Sequence, residues 1–233
     1  MPIPRKIHYC WFGGNPMSRK TIRFIEGWRS VCPDFEIVCW SEDNCDMQEN
    51  EYVSGAYRCG KWAFVSDYFR LKALYEQGGI YLDTDVELLK PFGELLELRG
   101  FMGFESSSDI GTCVIGGEKG HEFFGKALEA YQGRTFCPEN VTTNVRILTD
   151  LLRRSGLEPD GTRQSVMGME IFPQEYFSPK SLETGRLTTT KTTHAIHWFD
   201  ASWQTGSQRF HTKVAQVIGK KNTDRLKKLL GRK

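Results

Sequence analysis

A mixed α/β domain, one sheet flanked by helices, is the fold that these 233 residues predict, and three observations predict it. The first forty residues run strand, helix, strand. The middle of the chain, from Lys61 to Phe92, runs helix, paired glycines, strand. Beyond it, short apolar runs alternate with segments of helical period. Two periods alternating along one chain describe a layered α/β architecture. At 39% hydrophobic and 26% charged, the chain can bury one sizeable core as a soluble domain.

Taken in order, Lys6 to Phe12 reads as the first strand and stops at Gly13-Gly14. Ser18 is placed to cap a helix that runs to Val31, with Ile22, Ile25 and Trp28 as apolar positions and Pro33 as the stop. Phe35 to Trp40 is the second strand, and Trp40-Ser41-Glu42-Asp43 reads as a capped turn into a short helix. Such a β-α-β start, with glycines closing its first strand, is the general form of a Rossmann-like nucleotide-binding half. Neither G-x-G-x-x-G nor G-x-x-x-x-G-K-[ST] occurs, so the dinucleotide fingerprint and the P-loop are absent. Trp11, at the strand end, is either a core residue or a face on which a base stacks, an interaction of about 1–3 kcal/mol.

The stretch KWAFVSDYFRLKALYEQGGIYLDTDVELLKPF organises the rest. Ala63, Phe64, Tyr68, Leu71, Ala73, Leu74 and Tyr75 recur at helical steps and predict one apolar stripe, which Gly78-Gly79 ends. Ile80-Tyr81-Leu82 is a short buried strand with Asp83-Thr84-Asp85 at its far end. In an extended chain residues i and i+2 point to one side. Both carboxylates would then reach one hard divalent cation, whose shell substrate phosphates would complete. The alternative is a solvated turn. Asp67 and Arg70, three apart on the helix, are either a surface ion pair worth little or, among Phe64, Val65, Tyr68, Phe69 and Leu71, a partly buried pair aimed at a polar ligand.

Arg99 to Gly117 predicts two strands, Phe101–Phe104 and Cys113–Ile115, joined by a polar loop. His121 starts a helix from Glu122 to Ala130, and Thr143 or Asn144 caps another that runs to Arg154. Val166 to Phe172 reads as one strand. His194 to Trp203 gathers two histidines, two tryptophans and a serine in ten residues, and a neutral imidazole is an acceptable Mn²⁺ ligand. The seven cysteines are odd in number and form no C-x-x-C, which favours reduced thiols in a cytoplasmic compartment over a disulfide framework or a zinc site. No apolar run approaches the eighteen or so residues of a membrane span, and the apolar stretch after the basic N-terminus is too short for a signal peptide.

The end of the chain differs in character. From Lys213 onward it holds eight basic residues against Asp224, a charge of +7 that leaves −5 for the rest of a chain whose total is +2. Val214, Val217, Ile218, Leu226, Leu229 and Leu230 interleave with the charges at roughly helical spacing. This tail is either an anchor on an anionic membrane surface, each basic residue contributing about 1 kcal/mol, or a solvated helix or frayed end. The remainder is acidic and carries no RNA or DNA motif, so nucleic acid is not an expected partner.

The run AFVSDYFRLKALYEQGGIYLDTDVELLKPF resembles the central motif of the DXD-containing sugar transferases, family 32 of the glycosyltransferase classification. That family includes bacterial capsule and lipopolysaccharide transferases and yeast mannosyltransferases. The A-x-x-S-D-x-x-R pattern followed by D-x-D is more distantly similar to the clostridial glucosylating toxins. IPRKIHYCWFGG resembles the family's opening motif, Glu175 to Pro179 its tyrosine-phenylalanine-proline segment, and the stretch ending Ser202-Trp203 its closing H-x-x-x-x-S-W. Thr142-Thr143-Asn144 departs from the family's small polar-Gly-Pro segment.

The resemblance implies a GT-A-type mixed sheet over residues 1–212, with the basic tail at 213–233. It implies Trp11 as the base platform, with backbone groups of Cys10 or Phe12 at the base edge. Asp83 and Asp85 become ligands of Mn²⁺ or Mg²⁺ with His197 as the third, His194 being the alternative. Asp67 and Arg70 hold hydroxyls of the donor sugar, Ser202 and Trp203 donate to the β-phosphate, and Ser106 to Thr112 shapes the acceptor side. The implied reaction is retaining transfer of a hexose from a nucleotide sugar, UDP-linked, to a surface glycan or lipid-linked acceptor at the inner face of the cytoplasmic membrane. Two other classes use the same residues: a nucleotide-sugar hydrolase or phosphotransferase, and a non-catalytic carbohydrate-binding or scaffold protein.

Overall fold

The structure, a computed structural model, describes residues 2–182 and 184–200. The tail at 213–233 lies outside the described residues, as do Ser202 and Trp203. The chain opens with β1 (Lys6–Cys10), α1 (Arg19–Val31) and β2 (Glu36–Trp40), the expected β-α-β unit. Ser18 caps α1 by accepting the Thr21 backbone N–H. Phe24, Ile25 and Trp28 turn inward, whereas Ile22, at the margin of that arc, is 43% exposed and lies outside the core.

No helix follows Trp40 directly. Asn44 holds a turn there, its Oδ1 accepting the Ser41 N–H and its Nδ2 donating to the Cys39 carbonyl. Asn side chains that satisfy nearby backbone groups favour turns over helix. The next helix, α2 (Glu51–Arg58), is capped by Asn50 and was not foreseen from the sequence. Then come α3 (Trp62–Gln77), β3 (Gly79–Leu82) and β4 (Val86–Leu88). Gly78 ends α3 at φ 66°, where a Cβ would come within 2.6 Å of the Lys119 nitrogen. The remaining elements are β5 (Gly100–Phe104), β6 (Ile110–Gly117), α4 (Glu122–Glu129), α5 (Asn144–Arg154), β7 (Gln164–Val166), β8 (Met169–Phe172) and β9 (Ala195–His197).

Two expectations change here. The helix α3 does not bury a single stripe: Val65, Asp67, Tyr68, Phe69, Arg70, Leu71, Ala73 and Leu74 are all buried, while Tyr75 is 40% exposed. It lies between the sheet and the helices α2 and α4, so nearly every side of it meets protein. The segment read as one strand over 166–172 is a hairpin. Met167 and Gly168 both adopt positive φ, 53° and 75°, and Val166 faces Met169 across the turn.

Seven strands form one mixed sheet in the order β2-β1-β3-β6-β5-β8-β7. β1 pairs in parallel with β2 and β3, β5 with β8, and β6 runs antiparallel to both β3 and β5. The chain leaves β1 towards β2 on one side and reaches β3 on the other, so the carboxyl end of β1 is a topological switch point, where open α/β sheets form a ligand crevice. One core, with Phe69, Leu71 and Leu148, packs beneath α2 to α5; the other, with Trp28, Ile80 and Phe101, packs beneath α1. A separate ribbon, β4 with β9, stands beside the sheet at the same edge as the switch point. Among the described residues no helix is long and apolar enough to cross a membrane.

Candidate active site

Asp83 and Asp85 do converge, but not by lying on an extended strand. After β3 the chain makes a tight turn in which the Val86 N–H donates to the Asp83 carbonyl at 3.0 Å. The turn, not the pleat, brings the two carboxylates to one point. It also starts β4, whose pairing with β9 sets Val86 opposite His197. One ligand atom from each of Asp83, Asp85 and His197 lies within 4.8 Å of the others. Ligands about 2.1 Å from an octahedral cation stand at most about 4.2 Å apart, so a slight contraction would close the set. Two carboxylates and an imidazole are a donor set for a divalent cation, with further oxygen ligands completing the shell.

His197 Nε2 stands 3.2 Å from Asp85 Oδ1, and the Asp200 N–H donates to Asp85 Oδ2 at 2.8 Å. The chain reaches that contact through Phe199, whose φ of 54° turns it back towards the turn and sets its ring 4.0 Å from the imidazole. Burial alone would raise the Asp85 carboxyl, but His197 and the Asp200 amide hold it down to about 2. Burial likewise opposes a charge on His197, yet Cys113 and Asp85 carry its pKa well above the ordinary value. A carboxylate this close to the imidazole favours a charged ring over a neutral one. The His197 Nδ1 is buried without a hydrogen-bond partner of good geometry, with the Cys113 thiol beside it. His194, three residues earlier, turns elsewhere: its Nδ1 meets the Thr192 carbonyl and its ring stacks on Tyr176.

Asp67 and Arg70 are buried, as the sharper reading of the sequence expected, and Asp83 is tied to them. Arg70 is 5% exposed. Its Nη2 lies 3.0 Å from Asp67 Oδ1 and 3.3 Å from Asp83 Oδ1. Its Nη1 donates to the Thr112 carbonyl and hydroxyl at 2.8 and 3.1 Å, and its Nε to the Ser66 carbonyl at 3.3 Å. The guanidinium also lies 4.6 Å from the centre of the Tyr81 ring, whose hydroxyl donates to Asp83 Oδ1 at 2.9 Å. Burial raises the Asp67 carboxyl to about 6 against the pull of Arg70, with Asp83 adding to the rise. Arg70 is thus engaged on every nitrogen and fixes carboxylates; it has little left to offer a ligand directly.

Trp11 lines a cavity of about 620 Å³ at the end of β1, together with Tyr57, Trp62, Ser41, Glu42 and Asp43. The indole is held by donation from its Nε1 to the Asn15 carbonyl at 2.7 Å. Gly13, at φ 93°, allows the wall to close, since a Cβ there would lie 2.5 Å from the Trp62 ring. The Gly13 N–H in turn donates to Glu42 at 2.7 Å. Cys10 and Phe12 are neighbours of this cavity, but their side chains enter the core, Phe12 packing on Phe69. The register of β1 on β3, with His8 opposite Tyr81, carries Cys10 alongside Asp83. The backbones that carry Trp11 and the acidic turn therefore lie on neighbouring strands, about 5 Å apart.

Sequence reasoning missed three contributors. Tyr57 and Trp62 flank a helix junction and carried no periodic signal. Glu105, at the end of β5, was passed over inside the polar loop, although Ile110 to Thr112 of that loop belong to β6.

Residues 18–101 match the family described as glycosyltransferase sugar-binding region containing DXD motif. The chain is 30% identical over 131 residues to inositol phosphoceramide mannosyltransferase 3 of Schizosaccharomyces pombe. It is 29% identical over 103 residues to the initiation-specific alpha-1,6-mannosyltransferase of Candida albicans. These stretches take in 52% and 40% of this chain but only 35% and 27% of the two relatives. In fold the chain is similar to the PaToxG glycosyltransferase, with a TM-score of 0.52 at 19% identity over 66% of this chain and 70% of that one. The fold is thus that of the GT-A glycosyltransferases, and residues 18–101 are similar to the DXD sugar-binding region of such proteins.

Proposed function

We propose that this chain is a metal-dependent, retaining glycosyltransferase of the family 32 kind. It moves a hexose from a nucleoside-diphosphate sugar, UDP-linked, to a hydroxyl of a surface-glycan or lipid-linked acceptor. The observation that carries this reading is the meeting of Asp83, Asp85 and His197 within 4.8 Å of one another, one strand from an open aromatic cavity. A nucleotide with its base on Trp11 would direct its diphosphate to the two aspartates. Backbone groups of Cys10 and Phe12 would meet the base edge. Ser202 and Trp203, outside the described residues, would donate to the β-phosphate.

Asp83, Asp85 and His197 would hold the cation, which when bound supplies electrostatic stabilisation of the leaving diphosphate. His197 must first release its Nε2 proton, so proton and metal compete for one position. Arg70 holds Asp83 and Asp67 at fixed angles, and Asp67 faces the donor hydroxyls. Asp67 is a poor nucleophile because it is buried and ion-paired with Arg70. That favours front-face transfer: the acceptor hydroxyl attacks on the side from which the diphosphate departs and passes its proton to the departing oxygen. A double displacement would need a carboxylate free to bond the anomeric carbon.

A lipid-linked acceptor agrees with the name of the fission-yeast relative, an inositol phosphoceramide mannosyltransferase. The basic tail would keep the enzyme at an anionic membrane; liposome binding that survives deletion of residues 213–233 would remove that part. The main test is thermal unfolding with a panel of nucleotide sugars, each with and without Mn²⁺. A ligand at a hundred times its Kd stabilises by about 2.7 kcal/mol. A metal-dependent shift with UDP and one UDP-sugar is the expected result. A shift with GDP-sugars alone overturns the base, and no shift with any donor overturns the transferase reading. Product analysis with and without acceptor separates transfer from hydrolysis.

A further inference from the structure

The edge of the sheet carries one more carboxylate, Glu105, that the reading above leaves idle. It follows β5 as Asp83 follows β3, and both strands run antiparallel to the β6 strand between them. The two acids therefore stand at the same end of the sheet, with the start of β6 between them. Between them β6 presents Gly111, where a Cβ would lie 3.1 Å from the Glu105 Cβ. The glycine leaves the Glu105 side chain its room.

Glu105 is half-buried, and its own N–H is held by the Asp109 carbonyl at 2.9 Å. Its carboxylate takes no hydrogen bond from any described residue. Asp109 close by is instead satisfied by the Ser106 and Ser108 hydroxyls at 2.9 and 3.1 Å. The Glu105 oxygens are thus held by no described protein group and are free to accept from a ligand that enters the site. Burial carries it up to about 7, with His197 opposing and Asp109 and Asp83 adding to the rise.

The order of strands indicates which ligand. Along β2-β1-β3-β6-β5 the Trp11 cavity comes first, the Asp83–Asp85 turn next, and Glu105 beyond it. A nucleoside-diphosphate sugar is built in the same sequence: base, diphosphate, hexose. Resting on the function proposed above, we propose that Glu105 contacts the reacting sugars, its carboxylate accepting a hydrogen bond from a hydroxyl at the transfer point. That hydroxyl belongs either to the donor hexose or to the acceptor that attacks it.

Glu105→Gln keeps the shape and removes the charge, and the test is steady-state kinetics of transfer and of donor hydrolysis beside the UDP–Mn²⁺ thermal shift. Loss of one hydrogen bond to a charged group should reduce kcat/KM about ten- to a hundredfold while the UDP–Mn²⁺ shift stays as in the wild type. A loss confined to transfer, with a raised acceptor KM, assigns the hydroxyl to the acceptor; an equal loss in hydrolysis assigns it to the donor hexose. Kinetic constants within twofold of the wild type overturn the assignment. So does a variant that also loses the UDP–Mn²⁺ shift, since the residue would then act through the fold. A wild type that binds nucleotide sugar but turns none over sinks the transferase reading instead. Glu105 is then judged by the extra stabilisation that a nucleotide sugar gives over the free nucleotide, which Glu105→Gln must shrink.

Discussion

The two ends of the candidate site are built in opposite ways. Around Arg70 every nitrogen has a partner, the ion pairs are buried, and Tyr81 and Thr112 complete the knot. Around Trp11 the walls are aromatic, the space is open, and the indole makes one backbone hydrogen bond. The first end is part of the core and keeps carboxylates at fixed angles before any ligand arrives. The second is a surface that a planar ligand can cover. Preorganised charge serves reaction, and an open aromatic face serves affinity. Mutations at the two ends should therefore fail in different currencies, stability at one and binding at the other.

The largest expected effect is at the buried end. Arg70→Ala leaves Asp67 and Asp83 without their common cation and should destabilise the fold by about 3–5 kcal/mol, read from urea denaturation midpoints. A loss below about 1 kcal/mol would mean that the knot is not structural and would break the contrast. Asp85→Asn comes next. Asp85 stands at the rim of the knot, so the fold should survive while metal-dependent turnover falls at least about a hundredfold. Near-normal turnover would remove Asp85 from the metal site. Trp11→Ala should leave stability nearly unchanged, since the indole is only half-buried. It should weaken nucleotide binding by about 1–3 kcal/mol in calorimetric titration. Unaltered affinity would move the base elsewhere.

The smallest effect tests the floor beneath both ends. His8 on β1 accepts the Trp40 Nε1–H at its Nδ1 and donates from Nε2 to the Gly78 carbonyl, a pattern that requires the neutral ring. Burial lowers its pKa from 6.5 to about 4. The unfolded chain thus takes up the proton first, so this contribution is complete above pH 6.5 and is lost as pH falls towards 4. Between pH 7 and 5.5 the unfolding free energy should drop by about 1 kcal/mol on this account. The raised carboxyls of Asp67 and Glu105 work in the other direction, so the wild type is compared with His8→Gln. Parallel pH profiles for the two proteins would show that His8 carries no such linkage.

Most of the framework was legible in the residues. Ser18 and Thr143 cap their helices as their positions suggested, Gly78 ends α3, and the β-α-β start stands as read. These are local signals, decided within one helical turn or one pleat, so a single chain displays them. The pair Asp83 and Asp85 was legible as well, for the reason that two acids close an apolar strand. How they converge was not, because a tight turn and an extended strand place different backbone bonds on the same three residues.

The sequence alone determined which residue types could meet a nucleotide sugar and a cation, together with the helices and strands that carry them. Only the tertiary structure decided that His197 rather than His194 faces Asp85. That choice follows from pairing β9 with β4 across more than a hundred residues, and a strand turns alternate side chains to opposite faces. Tertiary structure likewise buried α3 on nearly all sides, opened the Trp11 cavity against Trp62, and set Glu105 two strands from Asp83. Each of these rests on the register and order of strands distant in sequence, which no local period encodes.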